Sequence, residues 1–238
     1  MTLAYLDRAL ALPAPPPEKL CELLHQCVST ADALGLRERQ AADGQALLAL
    51  AERIGHDGFR AKALLQLSLL ADRQGHSAEA EALAQRVLAI AEPIGDAVRS
   101  SVAWGQIAWA ATIAGRYDEA RHALARGLPW ARRVPKVETN VHVHIYEVQH
   151  LLVAAHLYAA LDADGPRARC IARALRRARR HRLRRMESMC LEWVVDLAID
   201  RGDIATAAEH LDAMRIVTAE LNMPTHDAIV AHRAGRLA

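Results

Sequence analysis

The feature that most constrains this chain is an internal repeat. The run "AERIGHDGFRAKALLQLSLLADRQGHSAEAEAL" from Ala51 returns 40 residues later as "AEPIGDAVRSSVAWGQIAWAATIAGRYDEARHAL" from Ala91. Ala51, Glu52, Ile54 and Gly55 are matched by Ala91, Glu92, Ile94 and Gly95. At the same offset Gln66 meets Gln106, Ala71 meets Ala111, Gly75 meets Gly115, and Glu79-Ala80 meets Glu119-Ala120. A third copy of the turn, "DRGDIATAAEHL", centres on Gly202 and Ala207, and a degenerate one, "LDADGPRARCIARAL", on Ala168. Self-similarity at such a period specifies stacked supersecondary units, because one unit alone cannot bury its apolar face.

Each unit reads as a helix, a turn at glycine, a second helix and a loop. In the second unit the helices are expected from Val98 to Ala114 and from Tyr117 to about Arg132. Ala120, and Ala108 opposite it, are small because the paired helices nearly touch there, and Gly127 eases the next contact. Composition agrees. The 52% apolar fraction is carried by Ala and Leu, with a single Phe, and no segment alternates as a strand would. The expected fold is all-α, a right-handed superhelical solenoid of antiparallel hairpins with about 10 to 13 helices. "PAPPP" (Pro13–Pro17) divides an N-terminal helix and linker, 1–17, from the repeat domain, 18–238. Glu18–Leu34 and Leu36–Ile54 form an earlier hairpin without the small-residue signature. Between Trp130 and His150 the spacing stretches, with Pro135 and then Thr139 as a helix cap, before a longer helix from about Asn140 to Ala160.

The pattern resembles the tetratricopeptide (TPR) repeat. The best copy matches at Trp104, Ile107, Ala108, Ala111, Tyr117, Ala120 and Leu124. Another offers Leu64, Leu67, Ser68, Ala71, Ala80 and Val87, with Ser77 where Tyr is usual. The copy around Gly202 offers Leu191, Val194, Ala198, Ile204, Ala207 and Leu211, with bulky Val195 and Met214 at crossing positions. The period exceeds the usual length of about 34 residues. Such longer units resemble the helical sensor regions of large bacterial ATP-dependent transcription activators of the LuxR type, over roughly residues 45–220.

That resemblance implies a non-enzymatic protein- or peptide-binding module, regulatory or scaffolding, whose first helices line a concave face. The residues it places there are Lys62, Leu65, Leu69, Asp72 and Arg73, then Gly105, Trp109 and Thr112, then Met189, Glu192, Asp196 and Asp200. They describe an apolar centre around Trp109 and an acidic end, suited to a helix or extended peptide.

Charge and cysteine content narrow the rest. A net charge of +2 does not name a nucleic-acid or membrane partner. Cys21, Cys27, Cys170 and Cys190 show no paired framework, which fits a reducing compartment. The opening "MTLAYLDRALALPAPPP" has no basic leader, so neither signal peptide nor membrane span is expected, and the location expected is cytoplasmic. Its apolar stripe of Leu3, Leu6 and Leu10 could dock on this array or on a second copy, making a homodimer possible.

Two segments carry alternatives. "VHVHIYEVQHLLVAAH" holds His142, His144, His150 and His156, with Glu147 three residues before His150. A helical Glu-x-x-His can supply two metal ligands. The first three histidines, however, point in widely separated directions at about 100° per residue. Packed or solvated histidines are therefore preferred to a metal-dependent enzyme, as they are for Cys21 and His25, and no cofactor is expected. "RARCIARALRRARRHRLRR" holds ten arginines between Arg167 and Arg185. Arg169, Arg173, Arg176, Arg177, Arg180 and Arg184 form one stripe, opposite Ile171, Ala174, Leu175 and Ala178. A solvated face explains it most simply, an acidic protein partner next. Nucleic acid is disfavoured because no aromatic residue in the stretch could stack a base. No phosphate-binding loop, dinucleotide fingerprint or nucleophile motif is present.

Overall fold

The computed structural model describes residues 3–10, 15–134, 142–221 and 224–236. Twelve helices and no strand occur among the described residues, as the all-α solenoid reading requires. They divide into two compact units with a boundary between Trp130 and Ala131. The first contains α1 (Leu3–Leu10), α2 (Pro17–Leu34), α3 (Arg37–Arg53), α4 (Asp57–Arg73), α5 (Ser77–Ala91), α6 (Ala97–Ile113) and most of α7 (Tyr117–Arg133). The second contains α8 (His142–Ala160), α9 (Asp164–Arg180), α10 (Arg184–Asp200), α11 (Ile204–Leu221) and α12 (Pro224–Gly235).

Helix ends are set by one device repeated. At Gly35, Gly55, Gly75, Gly95, Gly115 and Gly202 the backbone turns left-handed, with φ between 66° and 80°. The next N–H then reaches back to the last turn of the helix: His76 to the Ala71 carbonyl at 2.9 Å, Arg116 to Ala111 at 2.8 Å, Asp203 to Ala198 at 2.9 Å. This is the Schellman closure. It also serves between hairpins, at Gly55 and Gly95, where the sequence pattern alone suggested a looser connection. Asp162 and Arg182 adopt the same conformation without glycine, at φ 50° and 52°, and close on Tyr158 and Ala178. The turn at Arg182 stops α9 at Arg180, so the expected arginine-rich helix is two elements and Arg184 opens α10.

Packing follows from small residues at the crossings. In the α4–α5 hairpin Ser68 donates its hydroxyl to the Ala80 carbonyl at 2.7 Å, so side chain meets backbone with nothing between. Ala108 and Ala120, at the same positions one repeat on, are fully buried. The α2–α3 region has its own small residue, missed in the sequence: a Cβ on Gly44 would meet Leu67 of α4 at 2.9 Å. Within the first unit α2, α4 and α6 also pack on one another, which gathers the first helices of successive hairpins into one layer. In the second unit α8, α10 and α12 do the same. The core there joins Val148, Leu152, Leu175, Leu191, Met214 and Val217, and the bulky Val195 and Met214 are fully buried.

Pro17 starts α2 at a position where no N–H is needed. Against α2 lies α1, whose Asp7 pairs with Arg39 of α3 at 2.5 Å. The first helix thus docks on its own array, while the side chains of Leu6 and Leu10 lie outside the described residues, as do Pro13, Pro135, Thr139 and Asn140.

Ala80→Leu should overpack the Ser68 crossing and lower stability by about 1–3 kcal/mol in chemical denaturation, and Ala120→Leu by a similar amount. An unchanged midpoint in both would place the crossings elsewhere.

Candidate functional site

The first-helix layer of the first unit brings together most of the residues expected on a binding face. Lys62, Leu69, Asp72 and Trp109 are half-buried and Arg73 is exposed. Trp109 on α6 donates its indole N–H to Asp72 on α4, one helix to the next. Burial raises the Asp72 carboxyl above the usual range, and the Trp109 hydrogen bond opposes that rise. No cation lies within ion-pair distance of Asp72 among the described residues. Beside it Asp32 of α2 accepts from Arg37 at 2.9 Å and pairs with Arg73. Three of the expected face residues serve packing instead. Leu65, Gly105 and Thr112 are buried, and Thr112 donates to the Ala108 carbonyl of its own helix at 2.7 Å.

Elsewhere in the same layer the charge is positive. Lys62 sits 4.6 Å from the Phe59 ring centroid, and Arg99 pairs with Asp96, the residue that caps α6. His25 of α2 faces both cations. Burial first, then Lys62 and Arg99, hold its imidazole down at about 4. Burial, and then Arg99, also lower the Lys62 ammonium.

In the second unit the expected acidic end is covered by the protein itself. Arg233 of α12 bonds Glu192 at 2.7 Å and Asp196 at 2.9 Å, and Arg236 bonds Asp196 at 2.6 Å and reaches Asp200 at 3.7 Å. Met189 packs against the core. Burial raises Glu192, opposed by Arg233. Arg233 lies some forty residues from its partners, on a helix without repeat character, so no local pattern announced the contact.

The arginine stripe is present on α9 but shorter than expected. Arg169, Arg173, Arg176 and Arg180 are exposed, and Arg177 pairs with Glu147 of α8. Arg184 lies beyond the turn, held by Glu187 at 2.9 Å and Glu220 at 2.8 Å. Glu147 is thus spent on an arginine, and His150 is buried with Nδ1 at 3.0 Å from the Tyr146 carbonyl. His156 meets Trp193 edge-on at 5.7 Å. No group of three His, Cys, Asp or Glu side chains among the described residues is placed to hold a metal; the side chains of His142 and His144 lie outside those residues. Burial raises all four thiols, Cys190 to about 12, which keeps them protonated at neutral pH.

One cluster was not foreseen. Glu92, at the end of α5, accepts the indole N–H of Trp104 at 2.9 Å and of Trp130 at 3.0 Å. Arg126 lies 5.3 Å from the Trp104 ring centroid, over a depression of about 560 Å³ floored by Leu88 and Ile107. Trp104 and Trp130, 12 and 38 residues after a glutamate that recurs as Glu52 and Glu92, were the only sequence signal for it.

No family model matches this chain, and no curated protein does. Solved structures do. BtubC (BKLC) from P. vanneervenii is 15% identical with a TM-score of 0.63, over 92% of this chain and 88% of that one. The STAND signal-transduction ATPase PH0952 from Pyrococcus horikoshii, described as having a tetratricopeptide repeat sensor, is 15% identical with a TM-score of 0.61. That match takes in 97% of this chain and only 35% of the larger protein. At such identity the likeness concerns the fold, a helical repeat. No described helix is long and apolar enough to cross a membrane.

Removing Arg233 leaves Glu192 without its cation and Asp196 with one fewer. Arg233→Ala should cost about 2 kcal/mol and speed amide exchange in α12. Unchanged exchange would mean that Ile229 and Val230 hold α12 unaided.

His25 gives a pH dependence of definite sign. Its folded value, about 4, lies below the ordinary 6.5, so the unfolded chain binds the proton more readily. Its contribution is therefore full above pH 6.5 and is lost as pH falls toward 4. After screening by solvent it should reach about 2 kcal/mol. Denaturation at stepped pH should show this fall, and His25→Gln should flatten it; equal slopes would contradict the assignment.

Proposed function

We propose that this chain is a non-enzymatic protein- or peptide-binding module of the TPR type, acting through the first-helix layer of its first unit. The observation that carries this reading is the Trp109–Asp72 pair: an aromatic ring and a carboxylate without a counter-cation among the described residues, both half-buried, on neighbouring first helices. Such a pair suits a segment that offers a Lys or Arg to Asp72 and an apolar neighbour to Trp109. The aromatic supplies area with little entropy to lose, and the carboxylate supplies direction. Leu69 extends the apolar part and Lys62 the charged part. The likeness to a sensor-bearing ATPase supports a regulatory role, with this fold as the part that receives the signal. Burial keeps the four cysteine thiols protonated, which makes them poor nucleophiles.

Selection of a random peptide library on the purified protein tests this. Retained peptides should be enriched in a basic residue beside an apolar one. Trp109→Ala and Asp72→Asn should each weaken them by roughly tenfold or more while circular dichroism stays unchanged. Full binding by both variants, or loss only when Arg173, Arg177 and Arg180 are reversed to Glu, would move the interface off this layer.

A further inference from the structure

The second unit holds a basin unlike any other surface described. Arg173, Arg176, Arg177, Arg180 and His181 line a depression of about 500 Å³ along the outer face of α9. Every lining side chain is a cation or can become one, and the single ring among them is the His181 imidazole. Arg177 is anchored by Glu147 of α8, which fixes one wall. Arg173, Arg176 and Arg180 have no carboxylate within 4 Å among the described residues, whereas Arg167, Arg179, Arg184 and Arg201 nearby are all paired.

Helix stability does not account for this arrangement. Cations favour a helix C-terminus only within its last turn. Arg177, Arg179 and Arg180 fill that role, and Arg173 and Arg176 lie before it. Their spacing is adverse: Arg173 is three and four residues from Arg176 and Arg177, and Arg176 is four from Arg180. Like charges so placed repel on a helix. An anion in the basin relieves that repulsion. Guanidinium forks match phosphate oxygens two at a time. Four of them within about 10 Å of helix call for several negative charges on a small frame.

We propose that this basin binds a compact oligophosphate anion, held by Arg173, Arg176 and Arg180 against the wall formed by Arg177 and His181. The site is independent of the Trp109 layer, so either can fail without the other. Four guanidinium groups against a single imidazole make the phosphates, not a base, the recognised part.

Calorimetric titration with tripolyphosphate at a constant ionic strength of about 0.15 M tests it. Saturable binding of one anion per chain is expected, roughly tenfold or more tighter than orthophosphate. A rise in Tm with ligand concentration should accompany it. The triple variant Arg173→Gln, Arg176→Gln, Arg180→Gln should lose both effects and keep its helicity, since all three side chains are exposed. Arg53→Gln with Arg86→Gln, on exposed positions of the first unit, should lose neither. Three results would overturn the proposal: binding no tighter than orthophosphate, equal binding by the triple variant, or displacement of tripolyphosphate by single-stranded DNA or an oligoglutamate at lower charge concentration. The last would assign the basin to a polymer.

Discussion

One hydrogen bond governs the regularity of this protein: the N–H that follows each left-handed residue, bonded to the carbonyl five positions back. It ends a helix and points the chain backwards in the same step, and it requires a residue that tolerates positive φ. Left-handed residues recur every twenty positions from Gly35 to Gly115, and again from Asp162 through Arg182 to Gly202. Helices cut to this measure are 15 to 18 residues long from α2 to α7, so neighbours match along their length and alternate between two layers. First helices then meet first helices. That alternation lets Asp72 meet Trp109 across 37 residues of sequence.

How much of this was legible depended on how local its cause was. The repeat could be read because Gly75 and Gly115, Ala80 and Ala120, Ala71 and Ala111 do the same steric work at each turn and crossing. Half the period is hidden because Gly55 and Gly95 follow the pattern of loop residues in the sequence, although they make the same closure. Arg182 concealed a turn inside a basic run, since an arginine in the left-handed region carries no signature and helical periodicity passes through it. Gly44 was invisible for another reason: its missing Cβ makes room for Leu67 on a different helix. Among the expected face residues, periodicity selected one helix layer but could not separate the half-buried Trp109 and Asp72 from the buried Leu65, Gly105 and Thr112. A helix side that faces a groove and one that faces the next helix differ by less than one residue's turn, about 100°.

Net charge conceals how the charges are distributed. Arginine is the chief cation, and many of its side chains pair with a carboxylate on another element, as in Arg116 with Glu81 and Arg167 with Asp200. Against that background two departures carry information. Among the described residues Asp72 is a half-buried carboxylate with an indole but no cation, and Arg173, Arg176 and Arg180 of α9 have no carboxylate within 4 Å. A half-buried carboxylate without a cation carries a desolvation cost, and like charges along one helix face repel, so each departure suits a ligand of opposite sign.

The two units also differ in what their first-helix layers leave open. In the second, α12 lies against α10 and sets Arg233 between Glu192 and Asp196, which is how a basic helix would dock on an acidic groove. The acidic residues there are engaged by the protein's own arginines. In the first unit no described residue supplies a cation to Asp72. The α10–α12 contact therefore serves as an internal example of the recognition proposed for the other layer: carboxylates on first helices, part-buried, reading a guanidinium presented by a helix. A partner for the first unit that follows this rule brings its cation to Asp72 as Arg233 comes to Glu192, with Trp109 taking the apolar contact that Ile229 and Val230 make in the second core.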